Sequence, residues 1–112
     1  MSGITAHVLD TALGRPAAGL AIHLAREQSD RFVPVSGAVT NADGRVPDLL
    51  GSQTMLAGTY RLTFVTGPYF ERLGQPVFFP EVEVRFVVAD GAQHYHVPLL
   101  LSPFAYSTYR GS

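Results

Sequence analysis

Two histidines one residue apart, His94 and His96, stand close to the end of a 112-residue chain that contains neither cysteine nor lysine. Those absences exclude disulfides, thiolate metal ligands, cysteine nucleophiles and lysine Schiff bases. Chain ends are usually frayed and chemically dull. Residues 94–112 instead carry both histidines, the run Leu99-Leu100-Leu101, three tyrosines and Arg110, so the end is expected to be built into a site. Side chains two apart on a strand share one face, which places His94 and His96 together. His7 alternates with Ile4, Ala6 and Val8, and therefore points away from the core if those three line it. An imidazole with a pKa of about 6.5 can give or take a proton at neutral pH. His23 has no such company and is read as a solvated surface residue.

Arg45 follows the turn Asn41-Ala42-Asp43-Gly44 directly, so its side chain leaves a fixed point of the backbone. A guanidinium there suits an anion or a planar, oxygen-rich molecule; for Arg45 and for Arg110 a solvated charge is the plainer alternative. Tyr109 is either packing on an edge strand or a hydroxyl donor to a pocket. Ser112 would bring a hydroxyl and the terminal carboxylate. No Ser sits on a nucleophile elbow, and no Gly-rich loop precedes a helix to hold phosphate. His94 and His96 with a distant third His would make a three-His zinc site. No further ligand stands at motif spacing and no carboxylate is placed behind the imidazoles, so no metal is expected.

The elements that must position these groups are mostly strands. Period-two alternation runs through residues 4–9, 20–25, 32–39, 59–66, 81–89, 93–101 and 104–109. Ser29-Asp30 and Asn41–Gly44 are turns, residues 10–16 and 51–58 are loops, and residues 68–74 are the best helix candidate, with Pro at the start and Gly at the end. Short strands separated by Gly and Pro predict an all-β sandwich in one domain, 1–112. Residues 99–101 are apolar on both faces, Pro98 belongs at an edge or bulge, and the last strand is an uncharged, aromatic edge open to another chain.

Hydrophobic residues make up 46% of the chain before its 11 glycines are counted. Charged residues are only 15%, where about 25% is usual. Too little charge for the surface of a small domain points to burial against other subunits in a closed assembly. A net charge of −1 argues against nucleic acid and anionic membrane as partners. No leader peptide and no membrane-spanning run are visible, so a cytoplasmic protein is expected.

The chain resembles the transthyretin-like family. The resemblance is carried by Ile4-Thr5-Ala6-His7-Val8-Leu9-Asp10-Thr11 with Gly14-Arg15-Pro16-Ala17, by Thr40–Arg45, by Tyr69-Phe70 and Phe78-Phe79-Pro80-Glu81-Val82, and most specifically by His94–Pro103 and Tyr109-Arg110-Gly111-Ser112. The closing tetrapeptide resembles the 5-hydroxyisourate hydrolase branch rather than the hormone carriers. The resemblance implies a transthyretin-type β-sandwich of eight strands with one short helix. It implies a homotetramer, a dimer of edge-paired dimers with sites where the dimers meet. It implies cofactor-free hydrolysis of 5-hydroxyisourate to 2-oxo-4-hydroxy-4-carboxy-5-ureidoimidazoline, on the way from urate to allantoin. Catalytic positions fall on His7, Arg45, His96 and Ser112, and substrate-binding positions on His7, Arg45, Tyr109, Arg110 and Gly111. His94 is not assigned a role. The alternatives are a non-catalytic carrier of a small aromatic ligand, whose channel should be mainly apolar, and an interaction sandwich with incidental histidines.

Overall fold

A computed structural model describes residues 3–112; Met1 and Ser2, the first two residues of the expected 1–112 domain and part of the segment searched for a leader, lie outside the described residues. The chain order is β1 (Gly3–Asp10), β2 (Arg15–Pro16), β3 (Ala21–Gln28), β4 (Arg31–Val39), β5 (Arg45–Val46), β6 (Gly58–Val65), α1 (Thr66–Arg72), β7 (Val82–Val88), β8 (His94–Ser102) and β9 (Ala105–Thr108). One sheet runs β2-β1-β8-β9 with β5 also on β1; the other runs β4-β3-β6-β7. The expected sandwich with a single short helix is therefore what forms. Among the described residues nine strand segments appear, two of them, β2 and β5, being two-residue rungs against β1.

Alternation sets the two inner faces. Ile4, Ala6 and Val8 of β1 meet Ile22 and Leu24 of β3, Tyr60, Leu62 and Phe64 of β6, and Leu99 and Leu101 of β8 in one buried cluster. Ser29 and Asp30, both at positive φ, close the β3–β4 hairpin as a two-residue turn. The helix starts two residues ahead of the expected Pro68. Thr66 Oγ1 and the Gly67 N–H donate to the Phe79 and Pro80 carbonyls, so loop carbonyls satisfy groups that the first turn leaves free. Its end is as the sequence suggests: Gly74 has φ 68°, and the N–H groups of Gly74 and Gln75 reach back to Glu71 and Phe70, a Schellman closure.

Pro98 departs from expectation, since β8 is an interior strand with β1 on one side and β9 on the other. The pairs Leu99–Thr108 and His96–Gly111 share one register, which would set residue 98 opposite residue 109. Lacking an N–H, Pro98 breaks the ladder at that rung, and the Thr108 hydroxyl donates to the Pro98 carbonyl instead (2.7 Å). The interruption separates β9 from the last four residues.

Candidate active site

Strand register gathers the polar residues. β1 and β8 run parallel, which puts Thr5 beside His96 and Gly3 beside His94; β5 is antiparallel to β1, which puts Arg45 beside His7. Thr5, His7, His94 and His96 all lie on the outward face of the sheet, half-buried, while their sequence neighbours are in the core. The His7 and His96 rings are 6.5 Å apart and the His94 and His96 rings 6.4 Å, centroid to centroid.

The turn before Arg45 is built to hold it. Asn41 Oδ1 accepts hydrogen bonds from the N–H groups of Asp43 (2.9 Å) and Arg45 (3.0 Å). Gly44 has φ 71°, and its carbonyl accepts from the Val8 N–H at 2.8 Å. A Cβ there would lie 2.4 Å from the Val8 carbonyl oxygen, so both conformation and space require glycine. His7 Nε2 sits 3.0 Å from the Asp43 carbonyl oxygen. A carbonyl only accepts, so neutral His7 keeps its proton on Nε2 and leaves a lone pair on Nδ1.

His96 is tied differently. Its Nδ1 is 2.6 Å from Thr5 Oγ1, and the same hydroxyl is 3.0 Å from His94 Nε2. The Gly111 N–H donates to the His96 carbonyl at 2.9 Å, which draws the chain end against the ring. A Cβ on residue 111 would come within 2.6 Å of an imidazole carbon. Thr5, Arg45, Pro47, His94, His96 and Ser112 line a cleft of about 250 Å³.

Burial, and after it the positive charge of Arg45, holds both imidazoles below the ordinary histidine pKa. The hydrogen bond to Asp43 partly offsets this for His7, whereas His7 and His94 depress His96 further. Among the described residues the Arg45 guanidinium has no carboxylate partner. The outward face therefore sets two imidazoles, held toward the neutral form near pH 7, beside an exposed cation. Among the described residues no group of three or more His, Cys, Asp or Glu side chains is disposed to hold a metal ion.

His7, Arg45, His96, Gly111 and Ser112 thus come together as a cluster. Tyr109 and Arg110 lie elsewhere, along a groove of about 250 Å³ that they share with residues 84–87 of β7 and with the other side of His96. The Arg110 guanidinium sits 4.3 Å from the Tyr95 ring centroid and donates to Gln93 Oε1 and the His94 carbonyl, so it fastens the chain end. Thr5 is the residue the sequence did not single out. Alternation already places it on the His7 face, but its contact with both C-terminal histidines depends on parallel pairing of strands 89 residues apart.

Comparison with known proteins bears on what such a site does. A family model described as the HIUase/Transthyretin family matches residues 4–111. The 5-hydroxyisourate hydrolase of Deinococcus radiodurans is 48% identical over 114 residues, covering 98% of this chain and 96% of the relative. The solved 5-hydroxyisourate hydrolase of Klebsiella pneumoniae superposes with a TM-score of 0.87 at 37% identity, covering 99% of this chain and 100% of that one. Transthyretin from Sparus aurata superposes with a TM-score of 0.92 at 32% identity, covering 99% and 97%.

Proposed function

The chain belongs to the HIUase/Transthyretin family, and from that premise we propose that it is the hydrolase, opening 5-hydroxyisourate with water to 2-oxo-4-hydroxy-4-carboxy-5-ureidoimidazoline in urate degradation. Backbone similarity does not separate enzyme from carrier, because the transthyretin superposes as well as the hydrolase. The observation that carries the reading is the polar face itself, where Arg45, His7 and the Thr5-bridged pair His94 and His96 occupy neighbouring rungs. A carrier of an apolar ligand gains nothing from half-buried imidazoles beside an unpaired guanidinium.

Ring opening of a cyclic amide needs a water stripped of a proton, a counter-charge for the oxyanion, and a proton for the leaving nitrogen. His7 Nδ1 is the base, since its Nε2 proton is committed to the Asp43 carbonyl. Arg45 holds the substrate oxygens and the negative charge that develops on the attacked carbonyl. His96 Nε2 delivers the proton to the leaving nitrogen. Ser112, on the cleft wall, and the Gly111 backbone orient the substrate; Arg110, in the separate groove along β7, acts by fixing that chain end. The working form is a homotetramer, a dimer of edge-paired dimers, acting in the cytoplasm without a cofactor. No helix among the described residues is long and apolar enough to cross a membrane.

The direct test follows the ultraviolet absorbance of freshly oxidised urate with and without the protein. Accelerated loss of the 5-hydroxyisourate signal is the expected result; decay at the spontaneous rate would leave the carrier.

A further inference from the structure

The site as described leaves a chemical problem. Burial and Arg45 keep His96 neutral, yet a neutral imidazole that gives up its Nε2 proton becomes an imidazolate unless Nδ1 is protonated at the same moment. Thr5 Oγ1 is placed 2.6 Å from that Nδ1. A hydroxyl has one proton to give and can accept another, and the group positioned to resupply it is His94 Nε2, 3.0 Å away.

We propose that Thr5 and His94 form a proton relay behind His96, with His94 as the proton store and Thr5 as the bridge. The inference rests on the hydrolase reading and deepens it. In the transfer step His96 Nε2–H passes to the leaving nitrogen as the carbon–nitrogen bond breaks. The Thr5 hydroxyl proton moves to His96 Nδ1, and the His94 Nε2 proton moves to Thr5 Oγ1. His94 retains a proton on Nδ1, taken up from solvent before or during the step, and ends neutral. His7, which took a proton from the attacking water, returns it to solvent. One proton leaves the water, one reaches the leaving nitrogen, and every imidazole finishes neutral.

The surroundings of His94 suit a store that refills. Besides the catalytic cleft, its ring borders a second cavity of about 400 Å³ that opens among the exposed Asp48, Gly51 and Gln53. Thr5 lines both cavities, so the bridge spans the wall between them. The charged and titratable groups around the relay are His7 on β1, Arg45 on β5, Asp48 in the second cavity, the Ser112 carboxylate at the cleft wall, and Arg110, which donates to the His94 carbonyl. The Asp48 carboxylate accepts from the Leu50 and Gly51 N–H groups and lines the same cavity as His94.

Thr5 and His94 are positioning residues, acting through His96, and their variants should show it. Thr5→Val, close in shape, should lower kcat about tenfold or more while leaving KM within about twofold. It should also move the alkaline limb of the kcat profile to lower pH, because His96 must then be charged to act as the acid. Thr5→Ser should restore most of the rate, and His94→Phe should reproduce the Thr5→Val limb. The double variant should be no slower than the worse single one. Wild-type kcat in Thr5→Val, an unmoved limb in both single variants, or multiplying losses would overturn the relay. If Thr5→Val does not fold, the His94→Phe limb and the Thr5→Ser rate decide alone. Wild-type protein inactive on 5-hydroxyisourate would overturn the hydrolase reading instead. Nitrogen-15 spectra of the imidazoles then decide the bridge, which requires His94→Phe to change the His96 tautomer ratio; an unchanged ratio overturns it.

Discussion

His7 and His96 answer to the same electrostatics, since burial and after it Arg45 depress both. With Arg45 present, each imidazole stays neutral to a pH below the ordinary histidine range. Activity that needs neutral His7 should accordingly persist into mildly acid solution. Arg45→Gln removes a positive neighbour, makes protonation easier, raises both pKa values and so moves the acid limb of kcat/KM to higher pH. It should also cost about 10²-fold or more in kcat through lost oxyanion stabilisation; a slower enzyme with an unmoved limb would place Arg45 in substrate binding alone. His96→Ala removes the proposed proton donor and should cut turnover by at least about 10²-fold with far-ultraviolet circular dichroism unchanged. These three residues were legible in the sequence because alternation and a tight turn give their direction without reference to the rest of the fold. Thr5 was not, because a threonine on a polar face signifies nothing until its partner strand is known. The same holds for Asp10, a buried carboxylate that accepts from the Ala12 and Leu13 N–H groups and from the Tyr69 hydroxyl at 2.7 Å.

Short elements do the positioning, and each has a residue on which it depends. β5 is two residues long and is held by Gly44. Gly44→Ala forces a side chain into positive φ, which costs about 1–3 kcal/mol, and drives its Cβ toward the Val8 carbonyl. The variant should lose stability in urea titration and lose turnover more steeply than stability, because the Arg45 backbone must shift. Equal losses in both would mean that Arg45 finds its place without the turn. The Asp10–Tyr69 bond clips α1 to the end of β1, far from the cleft. Burial, and next the hydrogen bond to Asp10, pushes the Tyr69 hydroxyl pKa well up, so it stays a donor across the working range. Tyr69→Phe leaves one carboxylate oxygen without its partner and should cost about 1–3 kcal/mol, with kcat preserved. Turn and helix-end chemistry was readable where local sequence decides it, as at Asn41–Gly44 and Gly74. Pro98 misled because the edge rule assumes that every interior rung is needed, whereas β8 keeps its pairing with β1 throughout and gives up one rung to β9.

At the scale of the molecule the low charge becomes a statement about surface. The accessible area is 6114 Å², close to the roughly 6,000 Å² expected for a folded chain of this mass. The chain therefore hides no more of itself than others do, and large hydrophobic residues remain exposed. Val87 on β7 and Phe78, Phe104, Tyr106 and Tyr109 around β9 are all exposed, and β7 and β9 are the open edges at one side of the two sheets. An open edge is a template for pairing, the more so where it is uncharged as in β9, and a stable contact needs about 800 Å² from each partner. Edge pairing through these strands should give the dimers from which the tetramer is built, and a Lys near the end of β7 should oppose it. Val87→Lys faces solvent in the single chain, so the fold should survive while sedimentation velocity at micromolar concentration shifts from tetramer toward smaller species. Turnover should fall with the tetramer fraction, because the groove holding Tyr109 and Arg110 lies along this same β7 edge. A wild-type protein that sediments as a monomer with full activity would sink the assembly. A dissociated Val87→Lys that keeps full turnover would show instead that each chain carries a complete site, and that the apolar edges serve stability alone.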